Sequence, residues 1–249
     1  MIEGFESSDN VRVVLVRPTH PGNIGGVARA MKTMCLGSLY LVDPVDYLGQ
    51  EARARAGGAQ DVLLGSKRFA SLAEALAGCR LVIGTSARAR SIPWPTLDPS
   101  GAAQRLITEA REGPVALVFG REKTGLSNAE LDHCQYTVEI PSNREYASLN
   151  LACAVQVMSY ELMRAREKAA SGQAGDWREA GVSLARREDM DRFYRHLEAV
   201  LVESGFLDRS KPRRLMRRLY RLFNRACLDE NELNILRGIL TAVQQRWQK

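Results

Sequence analysis

No stretch of this chain stays apolar for the roughly 18 residues that a membrane-spanning helix requires. The first ten residues, MIEGFESSDN, are polar and acidic and contain no apolar core of the kind a secretory leader needs. Cysteine is sparse. The five present (Cys35, Cys79, Cys134, Cys153 and Cys227) are odd in number, widely separated and never spaced C-x-x-C. That argues against a disulfide framework and a cysteine zinc site. It leaves buried, reduced thiols in a cytoplasmic protein as the expectation. No other side-chain spacing suggests a metal site. There is no G-x-G-x-x-G turn, so a Rossmann dinucleotide site is not indicated. The segment Gly120-Arg121-Glu122-Lys123-Thr124-Gly125-Leu126-Ser127 looks like a Walker A loop only superficially, because leucine stands where the phosphate-binding lysine belongs. Internal repeats and low-complexity tracts are absent.

What is present is an uneven charge. The 249 residues carry a formal net charge of +6. Residues 1–182 hold 20 basic and 20 acidic side chains, and residues 183–249 hold 15 against 9, which is the whole surplus. A neutral body with a basic tail fits a catalytic core joined to a polyanion-binding arm. A solvated helix surface would carry the same charge.

Five runs, 11–18, 38–43, 80–86, 115–120 and 136–141, read as strands. Most are dense in Val, Ile and Leu rather than alternating, which suits a parallel sheet covered on both faces. Helical patterns lie between them, at 24–34, 71–77 (Ser71 with Glu74 as a capping box) and 100–112. A long amphipathic helix is expected over 147–168, with Leu151, Val155, Met158 and Leu162 on its apolar face. Strands alternating with helices predict an α/β domain over 1–167. Small and polar residues predict a linker over 168–183. Three further helices predict an all-helical extension over 184–249. In the middle one, 212–227, Arg214, Arg217, Arg218, Arg221 and Arg225 lie opposite an apolar stripe, and are expected to face outward and bind RNA phosphates.

Three segments place a Gly-rich or Ser/Asn-rich turn between an apolar run and a helical run. They are HPGNIGGVARAMKTM at 20–34, LVFGREKTGLSNAEL at 117–131 and IPSNREYASLNLACAVQVMSYE at 140–161. Read singly, each has a plain explanation. Glycines allow tight turns and helix N-termini attract anions. Arg29 could be a surface arginine paired with a glutamate, and Glu122 could be solvated. Ser and Asn are common helix caps.

Taken together and in this order, the three segments resemble the signature motifs of the SPOUT methyltransferases, in the SpoU/TrmH-like branch. The basic helical tail, with Glu-Leu-Asn-Ile-Leu-Arg-Gly-Ile-Leu at 232–240, is similar to the extension of the TrmJ-type tRNA ribose methyltransferases. The resemblance implies a parallel sheet with a deep trefoil knot at the C-terminal end of the domain. It implies S-adenosylmethionine as methyl donor, no metal, and a homodimer whose active site is shared between subunits. The implied catalytic residues are Asn23, Arg29, Glu122, Ser148 and Asn150. The implied cofactor loops are Thr85-Ser86-Ala87, Gly120, Ile140 and Ser148-Leu149-Asn150. The one small departure is Cys35, where family members often carry glycine.

The resemblance also implies tRNA as substrate, at nucleotide 32 of the anticodon loop, on cytidine or uridine. Base tolerance would follow if ribose and tRNA shape are read more than base edges. An apolar slot for adenine could come from Leu149, Ile140 and the small residues near 84–87. A ribose hydroxyl needs proton removal or alkoxide stabilisation before it attacks. The nearest histidine, His20, has the ordinary alternative of a turn residue. Arg29 is too basic to lose its proton readily. An orienting, charge-stabilising role fits it better than that of general base, although the family's arginine is often assigned as base. Other readings are a ribosomal RNA 2′-O-methyltransferase, a non-catalytic knotted RNA-binding protein, and a helical dimerisation module on a nucleotide-binding domain.

Overall fold

The computed structural model of the protein describes residues 10–86, 92–143, 145, 148–172, 183–208 and 214–247. Ala87, assigned to a cofactor loop, lies outside them. In chain order the elements are β1 (Val11–Val16), α1 (Pro21–Thr33), β2 (Leu39–Val42), α2 (Gln50–Ala56), α3 (Gln60–Leu64), β3 (Lys67–Phe69), α4 (Leu72–Ala75) and β4 (Leu81–Thr85). Then come β5 (Thr96–Leu97), α5 (Pro99–Glu109), β6 (Val115–Phe119), α6 (Asn128–Leu131), β7 (Tyr136–Val138) and α7 (Leu151–Ala170). The last three helices are α8 (Arg187–Glu203), α9 (Leu215–Ala226) and α10 (Glu230–Trp247).

Among the described residues the strands form one seven-stranded sheet in the order β3-β2-β1-β6-β4-β7-β5, with each of these pairs parallel. All five expected strands are there, somewhat shorter. The two extra strands, β3 and β5, are the sheet's edges. They are three and two residues long, too short for a hydrophobic pattern. Lys67 and Arg68 are exposed on β3, a common way to blunt a sheet edge. The short α2, α3 and α6 also escape a periodicity argument, which needs about eleven residues.

One face of the sheet is covered by a large core that includes Leu15, Ile24, Met31, Leu117, Val155, Met158 and Leu162. Each such buried side chain contributes about 1.5–3 kcal/mol. The other face carries a smaller core with Val14, Leu72, Leu76, Val118, Leu126 and Leu131. Helix α7 runs to Ala170, past the expected domain end at 167, and residues 173–182 of the expected linker are outside the described residues.

The extension has its own core, built from Met190, Phe193, Tyr194, Leu197 and Leu233. Phe193 meets Phe223 edge-on at 4.9 Å. Asp229 and Glu232 cap α10 reciprocally, at 2.7 and 3.0 Å. The extension also docks on the sheet domain. Leu184 is buried in the main core, Arg187 N–H donates to Cys79 O at 2.8 Å, and Tyr136 Oη lies 3.3 Å from Cys227 Sγ.

The cysteines depart from expectation in part. All five lie among the described residues and none is in a disulfide, but Cys35 and Cys153 are exposed. Burial pushes the thiols of Cys79 and Cys134 up to about 12. Cys35 adopts φ 57° just after α1. That left-handed conformation is the reason a glycine suits the position.

Candidate active site

The carboxyl ends of β4, β6 and β7 lie side by side, the usual place for a ligand on a parallel sheet. A cleft of about 810 Å³, including its open mouth, sits there. Its walls include Thr85 at the end of β4 and Ser86 after it, Gly120 after β6, Val138 at the end of β7 and Ile140 beyond it, Ser148 and Leu149 ahead of α7, and Leu151 at its start. Apolar Val138, Ile140 and Leu151 face hydroxyls and strand-end backbone groups. That combination fits a purine nucleoside. Every cofactor residue expected from the sequence and described here lines this cleft except Asn150, which lies next to it. Phe119, Val138, Leu151 and Ala154 also line it and were not foreseen. They belong to apolar runs read only as core.

The 120–127 loop is held in a tight shape. A side chain at Gly120 would bring its Cβ within 2.1 Å of the Gly125 carbonyl carbon, and Gly125 has φ +66°. Arg121 N–H groups reach Glu130 at 2.9 and 3.1 Å, and Ser127 with Glu130 forms a capping box on α6.

Glu122 leaves this loop and crosses to α1. That helix has no acidic residue in its first turn and no side-chain cap of its own. Glu122 supplies both. Its carboxylate accepts from Thr19 N–H at 3.2 Å, Thr19 Oγ1 at 3.0 Å, His20 N–H at 3.2 Å and Asn23 Nδ2 at 3.1 Å. A carboxylate at a helix N-terminus is also favoured by the helix dipole. Burial alone would raise the Glu122 carboxyl. Its own N–H, Asn23 and the His20 and Thr19 N–H groups outweigh that, and hold it below the usual glutamate value. Asn23 in turn accepts from Asn150 Nδ2 at 2.9 Å, and Asn150 Oδ1 caps α7 through Ala152 N–H at 2.9 Å. Three of the five expected catalytic residues thus form one relay between motifs one, two and three. His20 is exposed and contributes its backbone N–H.

Arg29 is placed differently. It is exposed on α1, about 9 Å along the axis from Asn23, and no ion pair among the described residues holds it. Its helix neighbours Gly26 and Thr33 border α7, where a Cβ at Gly26 would lie 3.0 Å from Ala152 Cβ and Thr33 Oγ1 is 3.5 Å from Gln156 Oε1.

The tail arginines do not all face outward as expected. Arg214, Arg218 and Arg225 are exposed, whereas Arg217 and Arg221 are half-buried. Arg217 Nε pairs with Asp132 Oδ1 at 2.9 Å. The reason is that the α6–β7 turn provides a carboxylate for it, which no periodicity argument could supply. No group of three or more His, Cys, Asp or Glu capable of holding a metal occurs among the described residues. None of the described helices is long and apolar enough to cross a membrane.

The fold is a parallel α/β domain with a cleft at the carboxyl ends of its strands and a helical extension, and comparison with known proteins gives its family. Residues 10–160 match the SpoU rRNA methylase family, and residues 188–249 match the C-terminal domain of the tRNA methyltransferase TrmJ. The chain belongs to the SpoU methylase family and carries a TrmJ-type C-terminal domain. It is 50% identical over 238 residues to the tRNA (cytidine/uridine-2′-O-)-methyltransferase TrmJ of Salmonella typhimurium LT2, covering 95% of this chain and 97% of the relative. The crystal structure of TrmJ from Z. mobilis ZM4 superposes with a TM-score of 0.79 at 32% identity, covering 94% of this chain and 98% of that one. A more distant SpoU methyltransferase, AviRb from Streptomyces viridochromogenes, was solved in complex with the cofactor AdoMet. It matches with a TM-score of 0.51 at 27% identity, over 64% of this chain and 62% of that one.

Proposed function

We propose that this chain methylates ribose 2′-hydroxyls of tRNA, at nucleotide 32 of the anticodon loop, on cytidine and uridine. The methyl donor is S-adenosylmethionine and no metal is needed. The observation that carries the reading is the Glu122–Asn23–Asn150 relay beside the cleft, in a chain half identical to enzymes named as tRNA (cytidine/uridine-2′-O-)-methyltransferases.

The donor, when bound, supplies an electrophilic methyl group. Thr85, Ser86, Ala87, Gly120, Ile140, Ser148, Leu149 and Asn150 hold it, in loops tied by a trefoil knot. Glu122, Asn23 and Asn150 set the geometry of the three motifs. Arg29 orients the ribose hydroxyl and stabilises the negative charge that grows on its oxygen as the proton leaves to water. Keeping the guanidinium protonated suits an exposed arginine.

Arg29 is exposed because a second subunit completes the site. Cys153, Val157 and Tyr160 on α7, with Leu149 just ahead of it, form an exposed stripe, with Leu149 at 40% and Tyr160 at 45% exposure. This stripe adjoins the cleft and α1, and we assign it to the homodimer interface. The outward arginines of α9 hold tRNA phosphates, in a cytoplasmic enzyme.

The test is transfer of labelled methyl to unmodified tRNA in chelator, with nuclease mapping of the product. Methylation should fall at nucleotide 32, and Arg29→Ala should lower turnover by on the order of a hundredfold or more with cofactor affinity little changed. A strict requirement for a divalent ion, or methylation elsewhere, would overturn the corresponding part. Near wild-type turnover in Arg29→Ala would remove that residue from the chemistry.

A further inference from the structure

Three successive carbonyls on the turn between α6 and β7 each accept a hydrogen bond from a different element. Asn224 Nδ2, on α9, donates to Asp132 O at 2.9 Å. Arg187, at the start of α8 and only 3% exposed, donates to His133 O at 3.1 Å. The Trp94 indole donates to Cys134 O at 2.8 Å. This turn leads directly into β7, whose Val138 lines the cleft and accepts from Ser86 N–H at 3.1 Å. Trp94 lies just ahead of β5, which pairs with β7 and is downstream of the Thr85–Ser86 loop.

One side chain joins these parts. Arg217, on α9, donates through Nε to Asp132 at 2.9 Å, and its guanidinium carbon lies 5.7 Å from the centroid of the Trp94 ring. The Arg217 and Asp132 side chains are 19% and 14% exposed, so water screens the contact poorly. Ion pairs and cation–π contacts count for more in such places. An arm that only carried basic charge to RNA would have no need of this grip.

We propose that Arg217 is a positioning residue of the cofactor site: by bridging Asp132 and Trp94 it couples RNA held on the extension to the β7 wall of the cleft. The proposal rests on the cofactor and tRNA readings above. It reassigns Arg217 from RNA contact to coupling element. Binding of tRNA to the outer face of α9 shifts or stiffens the helix. The shift reaches β7 through Asp132 and Asn224, and reaches the segment ahead of β5 through Trp94. The cleft then takes its cofactor differently according to whether RNA is present.

The experiment is calorimetry on the full chain with S-adenosylhomocysteine as unreactive probe, with and without saturating unmodified tRNA. In the wild type, tRNA should change the affinity for the probe by about fivefold or more, and the probe should change tRNA affinity by the same factor. Arg217→Lys keeps a charge for Asp132 but loses the planar group over the indole. It should bring the coupling close to one while leaving the salt dependence of tRNA binding at its wild-type slope. Trp94→Leu removes the aromatic face and should do the same, and the double variant should lose no more coupling than either single one, because both remove the contact between Arg217 and the ring. If either variant fails to fold, Asp132→Asn reads the same coupling from the opposite side. Wild-type coupling in Arg217→Lys and Trp94→Leu would overturn the proposal. So would a salt slope reduced by roughly 0.7–0.9 in Arg217→Gln, which is the mark of a lost phosphate contact. A wild type that binds no probe would sink the cofactor reading instead, and one that binds both ligands without coupling would sink this proposal alone.

Discussion

Asn150 Nδ2 donates to Asn23 Oδ1 at 2.9 Å, across 127 positions of sequence. The bond joins the N-terminal ends of α7 and α1, and Glu122 holds the other side of Asn23. Removing the carboxylate in Glu122→Ala would leave the Thr19 and His20 N–H groups without that partner and free the α1 entrance. Methyl transfer should fall by on the order of a hundredfold, the scale of a displacement of about 1 Å. Glu122→Gln keeps an acceptor oxygen and should lose less. Single-turnover rates for the two variants check this, and equal rates in both would mean that charge, not geometry, is what Glu122 supplies.

Acid should loosen the docking of the extension. Burial first, then the neighbouring Arg187, depresses the His133 imidazole from its ordinary value of 6.5 to about 4, against the pull of Asp191 and Glu130. The folded form therefore binds fewer protons than the unfolded one between these values, so stability is fully present above about pH 6.5 and falls as pH drops toward 4. Denaturant midpoints measured across that window should decline, and His133→Gln should flatten the decline. A slope that is the same in the variant would exclude His133 as its source. Asp132, raised by burial despite Arg217, acts in the opposite sense at the lower end.

The α7 stripe should control assembly. Val157→Glu or Tyr160→Glu puts a charge where a partner would bury apolar surface, and a desolvated unpaired charge is strongly unfavourable. Sedimentation should show monomers, with turnover reduced and the monomer still folded. A variant that remains fully dimeric would place the interface elsewhere.

The outward arginines should be separable from the inward ones. Replacing Arg214, Arg218 and Arg225 with glutamine should weaken tRNA binding. It should also flatten the salt dependence by roughly 0.7–0.9 in log–log slope per lost phosphate contact. Cofactor affinity without RNA should be unchanged. An unaltered slope would reduce this face to solvated helix surface.

Much of the fold and site was legible in the sequence by itself. Dense Val, Ile and Leu runs marked the five inner strands, because a strand buried on both faces must be apolar throughout. The glycines at 120–125 marked a turn at the cleft, whereas those read as a turn at 22–26 lie inside α1, where Gly25 lets the helix pack closely on Ala52 of α2. Ser71 marked a helix start, since capping needs only neighbours a few residues away. Pattern alone could not rank a solvated Glu122 against a working one, and only the resemblance did so.

The tertiary structure decided what depends on partners distant in sequence. It placed β6 between β1 and β4, which brings Glu122 to the uncapped start of α1. It turned Arg217 inward, because Asp132 and Trp94 were there to receive it. The period of a helix tells which residues share a face. What that face meets depends on chain segments a hundred residues away, and only packing the whole sheet with its extension brings them together.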